Sequence, residues 1–137
     1  MNSPIKILLA LIIFIGMGCS QNQNKLQKDM IGAWHLTTKG QNVYDKGVII
    51  YSENGQMSVI ISKTDSVVTG YSGKYEVNEK ESYVKHYRDY YSLLPFVKDS
   101  IPPLWIRDVQ LSANKKLLTL SPREEKGFSL IWEKVPN

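Results

Sequence analysis

Apolar and polar residues alternate along much of the chain from residue 30 onward, and no helical period accompanies them. Within residues 33–39, Trp34, Leu36 and Thr38 fall on one face, as every second residue of a strand does. A period of two is typical of strands that bury one face. The alternation and the β-rich runs predict eight strands, over residues 33–39, 46–51, 56–62, 67–77, 82–91, 104–112, 116–121 and 128–135.

Turn-forming residues separate these predicted strands. Asn54 and Gly55 join the second strand to the third, and both accept the positive φ that a tight hairpin requires. Gly70 and Gly73 lie within the fourth strand and indicate a bulge or a sharp bend there. Residues 92–103 contain three prolines, which cannot donate to a ladder, so this segment is predicted to be a loop.

The short connections favour antiparallel pairing between consecutive strands. A sheet of eight such strands either leaves two unpaired edges or closes on itself, and closure removes the edges. We therefore expect an all-β fold, an eight-stranded up-and-down antiparallel barrel, with a β-sandwich as the alternative. The chain of 137 residues has room for one such domain, assigned to residues 30–137.

The start of the chain follows a different pattern, with Lys6 before an unbroken apolar run over residues 7–15 and the small residues Gly16 and Gly18 after it. A helix of that length covers roughly half of a ~30 Å hydrocarbon core, so it is too short to span a membrane. A basic start, a short apolar run and small residues are typical of a secretory signal peptide, which we predict over residues 1–18.

Cys19 directly follows this signal and is the only cysteine in the chain, so it has no partner for an intramolecular disulfide. Its position after Gly18 resembles the lipobox of bacterial lipoproteins, in which the cysteine is acylated and becomes the mature N-terminus. The resemblance implies attachment to a membrane through Cys19. Ordinary cleavage that leaves a free thiol is the alternative.

The polar stretch after the cysteine has no packing residues up to Lys25, so residues 19–29 are expected to form a flexible tether. An aspartate directly after the acylated cysteine would resemble an inner-membrane retention signal, but this position is occupied by Ser20. We therefore expect the protein in the bacterial cell envelope, anchored to the outer membrane.

Composition and charge narrow the possible partners. Apolar residues make up 42% and charged residues 22% of the chain, as in globular domains rather than disordered or fibrous chains. The net charge is +4, but acidic residues lie among the basic ones, as Glu76 does near Lys74. Because the basic stripe that phosphate backbones require is missing, no nucleic-acid partner is expected.

The sequence also lacks the signatures of catalysis. The sequence has two histidines, His35 and His86, and no cysteine beyond Cys19, whereas a zinc site needs three or four converging ligands, so no metal is expected. No nucleophile elbow, phosphate loop or dinucleotide fingerprint occurs. Glu79 and Glu81 fall in a predicted turn, where solvated carboxylates are poorly suited to act as a general acid and base. We expect no catalytic residue, no cofactor and no enzymatic activity.

A ligand site is expected in the barrel interior or its mouth. The fifth strand carries Val84, His86, Arg88 and Tyr90 on one face, and the sixth carries Trp105, Arg107, Val109 and Leu111. A polar group among apolar neighbours can orient the polar end of a ligand. The candidate ligand-binding residues are Tyr75, His86, Trp105 and Arg107. For His86 the alternative is a hydrogen-bonded structural residue, and for Arg107 it is an acidic partner inside the barrel.

Several motifs occur in the order known from a family. Gly32-Ala33-Trp34 resembles the Gly-x-Trp motif of the lipocalin and calycin families, and residues 71–77 resemble the Tyr-x-Gly-x-Tyr strand of bacterial lipocalin-like domains. Residues 54–59 and 130–135 continue the similarity, which spans nearly all of residues 30–135. The resemblance implies that Trp34 closes the floor of the barrel and that Lys134, from the last strand, covers it.

Two functions remain open from the sequence. The first is a lipid-anchored module that binds a small apolar or amphipathic molecule in the barrel. The second is a non-enzymatic interaction or structural protein with a filled barrel, whose loop at residues 92–103 contacts a protein partner that the sequence does not identify. An interior cavity of roughly 300 Å³ or more distinguishes the two.

Overall fold

The structure is a computed structural model that describes residues 24–37, 44–63, 66–91, 104–124 and 126–136. Its described part begins with one short helix, α1 (Lys25–Met30), which is followed by strands. The strands are β1 (Gly32–Leu36), β2 (Lys46–Tyr51), β3 (Gln56–Lys63), β4 (Ser66–Asn78), β5 (Tyr83–Tyr87), β6 (Tyr90–Tyr91), β7 (Leu104–Leu111), β8 (Leu117–Pro122) and β9 (Leu130–Lys134).

These strands form one closed antiparallel barrel. Strands β1 to β5 pair in order along the chain, β5 pairs with β7, and β7 to β9 again pair in order; β9 returns to pair with β1, where Trp34 lies opposite Lys134. β5 and β6 both pair with β4 and lie end to end along it. Together they occupy one strand position, so the nine segments form an eight-stranded barrel. The predicted eight-stranded up-and-down barrel is therefore confirmed, and the sandwich alternative is excluded.

The predicted strands agree closely with the observed ones, except for the fifth. That strand, predicted over residues 82–91, is interrupted after Tyr87. His86 pairs with Tyr75, whereas Tyr90 pairs with Ser72, so one extra residue lies in the β5–β6 segment. This is a β-bulge, and it reverses the direction in which the following side chains point. Tyr90, predicted on the inner face, is 73% exposed as a result.

Gly73 on β4 makes room for this bulge. A Cβ atom at Gly73 would collide with the carbonyl oxygen of Tyr87 and would lie 2.9 Å from the backbone nitrogen of Asp89. The Asp89 N–H donates to the carbonyl of Ser72 across the same site, at 3.1 Å. Gly73 was predicted to mark a bulge or bend in its own strand. The structure instead places the bulge in the neighbouring β5–β6 segment, directly opposite Gly73.

Helix α1 packs across one end of the barrel. Asn24 caps it by accepting a hydrogen bond from the Gln27 N–H at 2.7 Å, and its amide donates to the Val77 carbonyl on β4 at 3.0 Å. Met30 at the end of the helix is fully buried. Part of the expected flexible tether, residues 24–29, is therefore a cap and a helix fixed to the barrel, because Leu26 and Met30 pack against the core. Residues 19–23 lie outside the described residues.

The inner face of the barrel is filled mostly by apolar side chains. Trp34 and Trp132 are the two largest side chains that are fully buried, and Ile49, Val59 and Leu118 lie with them in one core. We call the end covered by α1 the closed end. The opposite end, at which β1 and β8 end and β9 begins, is the mouth. No helix of the described ranges is long and apolar enough to cross a membrane.

Candidate functional site

The interior contains a cavity of about 150 Å³ between the core and the mouth, which we call the mouth cavity. Its walls are mainly apolar and aromatic, with a few polar groups among them. The aliphatic lining residues include Ile49, Val59, Ile61, Leu120 and Leu130. The lining residues with polar or aromatic character include Tyr71, His86, Trp105, Arg107 and Trp132.

His86 is placed in this interior by the alternation of β5 and is 1% exposed. The Tyr51 hydroxyl lies 2.8 Å from Nε2 of the ring, and the Tyr71 hydroxyl lies 3.2 Å from Nδ1. A neutral imidazole satisfies both contacts, because one nitrogen donates and the other accepts. Burial lowers the pKa of His86 to about 3, and the charges of Arg107 and Arg88 add to this effect. The ring is therefore neutral at physiological pH.

Two arginines lie against Trp105. The guanidinium carbon of Arg88 is 3.8 Å from the centroid of the Trp105 ring, and that of Arg107 is 4.6 Å from it. Both distances are within the range of cation–π contacts. Tyr71 meets the same ring edge-on, with the centroids 5.4 Å apart. Arg88 is only 3% exposed, so its charge lies inside the protein. We call Arg88, Trp105 and Arg107 the arginine–tryptophan stack.

Tyr75 lies deeper in the barrel than the other candidate residues and is not among those that line the mouth cavity. Its hydroxyl donates to the Ser52 carbonyl at 2.7 Å, and its ring packs edge-on against Tyr51 at 4.9 Å. Tyr71 faces inward four residues earlier on β4, about 13 Å further along the strand. Tyr71 rather than Tyr75 therefore reaches the cavity.

The structure thus brings three of the four candidate ligand residues, His86, Trp105 and Arg107, to one cavity. Sequence reasoning did not select Tyr71 or Trp132, although both lie on strand faces that alternation predicts to be buried. The indole of Trp132 is 1% exposed, and its Nε1–H has no hydrogen-bond acceptor among the described residues. A buried donor without an acceptor is uncommon in proteins.

The closed end has its own set of contacts. Lys134 Nζ lies 5.0 Å from the ring centroid of Trp34, so the structure places in contact the two residues that the family resemblance pairs. The Trp34 indole donates to the Met30 carbonyl at 2.8 Å, and Lys134 donates to the Asp29 carbonyl at 3.2 Å. Gly32 adopts a φ of +124°, a value that side chains rarely allow. These contacts join the floor of the barrel to α1.

A larger groove of about 410 Å³ lies on the outer wall formed by β1, β2 and β3. It is lined by outward-facing residues such as His35, Val48 and Ile60, and the Ile60 side chain is 54% exposed. Pockets that hold small molecules are concave and combine apolar walls with convergent polar groups. The mouth cavity has this combination, so we regard it as the candidate site despite its smaller volume.

Three other expectations concern residues that the structure does not describe. The signal over residues 1–18 and the acylation of Cys19 lie outside the described residues, as does the predicted loop at residues 92–103. Among the residues that are described, no group of three or more His, Cys, Asp or Glu could hold a metal ion.

Comparison with protein-family models and with curated proteins gives no match to this chain. The resemblance to lipocalin-like domains therefore rests on the sequence motifs. The closed eight-stranded antiparallel barrel is compatible with it.

Proposed function

We propose that this chain is a lipid-anchored, non-enzymatic binding protein of the bacterial cell envelope, and that its lipocalin-like barrel holds a small apolar or amphipathic molecule in the mouth cavity. The observation that carries the proposal is the cavity itself, which lies inside the barrel and combines aliphatic walls with polar side chains such as those of Tyr71 and Arg107. Such a combination of apolar lining and a few polar groups is typical of ligand pockets.

The size of the cavity limits the ligand. The sequence-based expectation that a ligand-binding barrel would contain an interior cavity of roughly 300 Å³ or more is not met, because the mouth cavity has a volume of about 150 Å³. A cavity of this volume in another protein takes benzene. The proposed ligand is therefore a molecule of about that size, or a longer one of which only one end enters the barrel.

The anchor fits this arrangement. Acylated Cys19 would lie five residues before Asn24, and five residues of extended chain span at most about 18 Å. Asn24 and α1 are at the closed end of the barrel. The proposed anchor therefore holds the closed end near the membrane and directs the mouth away from it, so a ligand enters from the aqueous side.

The alternative function is a barrel without a ligand that acts through its surface. Two observations favour it: the small volume of the mouth cavity and the exposed side chains of Ile50 and Ile60, which are 47% and 54% accessible on the outer wall. Exposed apolar residues of this kind occur in partner-binding patches.

Cavity filling distinguishes the two functions. Ile61→Phe places a larger side chain in the mouth cavity, whereas Ile60→Phe makes the same change on the outside of the same strand. The full-length protein in detergent is titrated with benzyl alcohol, and the fluorescence of Trp105 and Trp132 reports binding. A protein-free sample corrects for partition of the probe into detergent.

We expect saturable binding to the wild type and to Ile60→Phe, and at least a tenfold loss of affinity in Ile61→Phe, because the space for the ring is occupied. Circular dichroism checks that both variants are folded. Equal binding by all three proteins, or no saturable change in the wild type, would contradict the binding function and favour the alternative.

A further inference from the structure

We infer that the closed end of the barrel rests on a membrane surface with anionic phospholipid headgroups, through a cluster of lysines that the fold assembles from two distant parts of the chain. This contact rests on the proposed acylated anchor, because that anchor brings the closed end to the membrane. We call Lys25, Lys28, Lys115 and Lys116 the basic patch. Its position in the fold, its charge and the short tether each support a contact with lipid.

Helix α1 and the turn between β7 and β8 bring the basic patch together. Lys25 and Lys28 are three residues apart on α1, so they lie on the same side of the helix, and both are exposed. Lys115 and Lys116 are exposed in the turn. Lys115 Nζ lies 2.8 Å from Asp29 Oδ1, so an ion pair between residues 86 positions apart fastens the turn to the helix. The patch therefore exists only in the folded chain.

Most of the positive charge of the basic patch is available to a partner. Asp29 takes up the charge of Lys115. Among the described residues, no carboxylate lies within ion-pair distance of Lys25, Lys28 or Lys116. Three exposed ammonium groups therefore lie close together at one end of the barrel without an acidic partner in the described part of the chain.

The other acidic residues at the closed end already have contacts. Glu79 accepts a hydrogen bond from the Leu26 N–H at 3.3 Å, and Glu81 pairs with Arg123 at 3.1 Å. Glu53, on the turn between β2 and β3, is not free either. These carboxylates therefore leave the ammonium groups of the basic patch to a partner outside the chain.

The proposed tether favours lipid as that partner. Because at most about 18 Å of extended chain separates acylated Cys19 from Asn24, the closed end stays close to the headgroups. At about 0.1 M salt, charges interact over roughly 10 Å, so exposed lysines at this end come within range of an anionic surface. Each lysine near such a surface strengthens binding by about fivefold. A soluble acidic partner would have to compete with headgroups that are always present.

Chemical labelling of the lysines measures this contact directly. The mature acylated protein is reconstituted into vesicles of phosphatidylcholine, with or without phosphatidylglycerol, and is pulse-labelled with an acetylating reagent in moderate salt. Peptide mass spectrometry gives the rate at each lysine. We expect Lys25, Lys28 and Lys116 to react at least about threefold more slowly on the anionic vesicles, because contact with the headgroups covers them. Lys46 and Lys126, exposed at the mouth, are expected to react equally on both.

Charge reversal then locates the contact. The double variant Lys28→Glu/Lys116→Glu leaves the ion pair between the turn and α1 in place, and we expect it to abolish the slower reaction of Lys25 on anionic vesicles. Lys46→Glu/Lys126→Glu is the matched control, because it makes the same change of charge at the mouth. It is expected to retain the effect at Lys25.

Salt provides a test that needs no variant. In about 1 M salt the range of charge interactions falls to roughly 3 Å, so the difference between the two vesicles should disappear in the wild type. A difference that persists in this salt would overturn the inference. So would equal labelling on both vesicles, equal slowing at the patch and at the mouth, or loss of the effect in both double variants. Each of these results, obtained with acylated protein, leaves the proposed anchor intact. A purified mature chain without acyl groups would contradict the anchor itself and this contact with it.

Discussion

His86 shows how a single residue combines a structural and an electrostatic role. It joins Tyr51 on β2 to Tyr71 on β4 through its two ring nitrogens, across the interior of the barrel. The hydrogen-bonded structural role considered from the sequence is therefore consistent with its contacts. The same ring lines the mouth cavity together with Arg107, and it is neutral there.

The pKa of His86 predicts how stability depends on pH. In the unfolded chain the ring protonates near its ordinary pKa of 6.5, whereas in the fold its pKa is about 3. The unfolded state therefore binds more protons between these values, and the free energy of unfolding falls as pH decreases below 6.5. From pH 7 to pH 5 the expected loss from this residue is about 2 kcal/mol.

Urea denaturation at the two pH values measures this loss in the wild type, in His86→Gln and in the control His35→Gln, whose side chain is exposed on β1. His86→Gln is expected to lose that part of the pH dependence, because glutamine does not titrate. His35→Gln is expected to retain it. An unchanged pH dependence in His86→Gln would show that the buried histidine is not its source.

At the scale of elements, the bulge between β5 and β6 determines which side chains reach the arginine–tryptophan stack. It allows Arg88 to stay inside while Tyr90 points outward. The backbone at the bulge approaches β4 so closely that only glycine fits at position 73. The local shape of the candidate site therefore depends on a residue that is not itself in the site.

Gly73→Ala tests this dependence. Its Cβ would collide with the backbone at Tyr87 and Asp89, and neither backbone group can move without breaking strand pairing. We expect a destabilisation of roughly 3 kcal/mol or more, in the range of severe steric changes. Ser72→Ala, on the neighbouring position of β4, is the control and should change the free energy of unfolding by less than about 1 kcal/mol. Similar stability of both variants would contradict the close approach.

Helix α1 illustrates a limit of sequence reasoning at this scale. Its six residues are too few to be stable alone, so local propensity gives little signal. The available signals were the cap residue Asn24 and the spacing of Leu26 and Met30, which puts both on one face. What holds the helix is tertiary contact with the barrel, and that contact exists only after the barrel has closed.

At the scale of the molecule, alternation and turn residues were sufficient to predict the closed barrel and most strand boundaries. Alternation also predicted that His86, Trp105 and Arg107 face inward, and all three line the mouth cavity. It could not give the depth of a side chain along the barrel axis, because that depends on the stagger between strands. Tyr75 was therefore selected from the sequence as a candidate ligand residue, whereas in the structure Tyr71 lines the cavity. The bulge at residues 88–89 could not be predicted from the sequence either, because it depends on how closely β4 approaches the backbone of that segment.

The most direct test of the whole account is mass spectrometry of the mature protein extracted from the membranes of its producing cells. Under denaturing conditions we expect the mass of a chain that begins at Cys19 plus acyl groups. Under native conditions we expect the same mass with one small molecule bound. A bare polypeptide with a free thiol, giving identical masses under both conditions, would contradict the account.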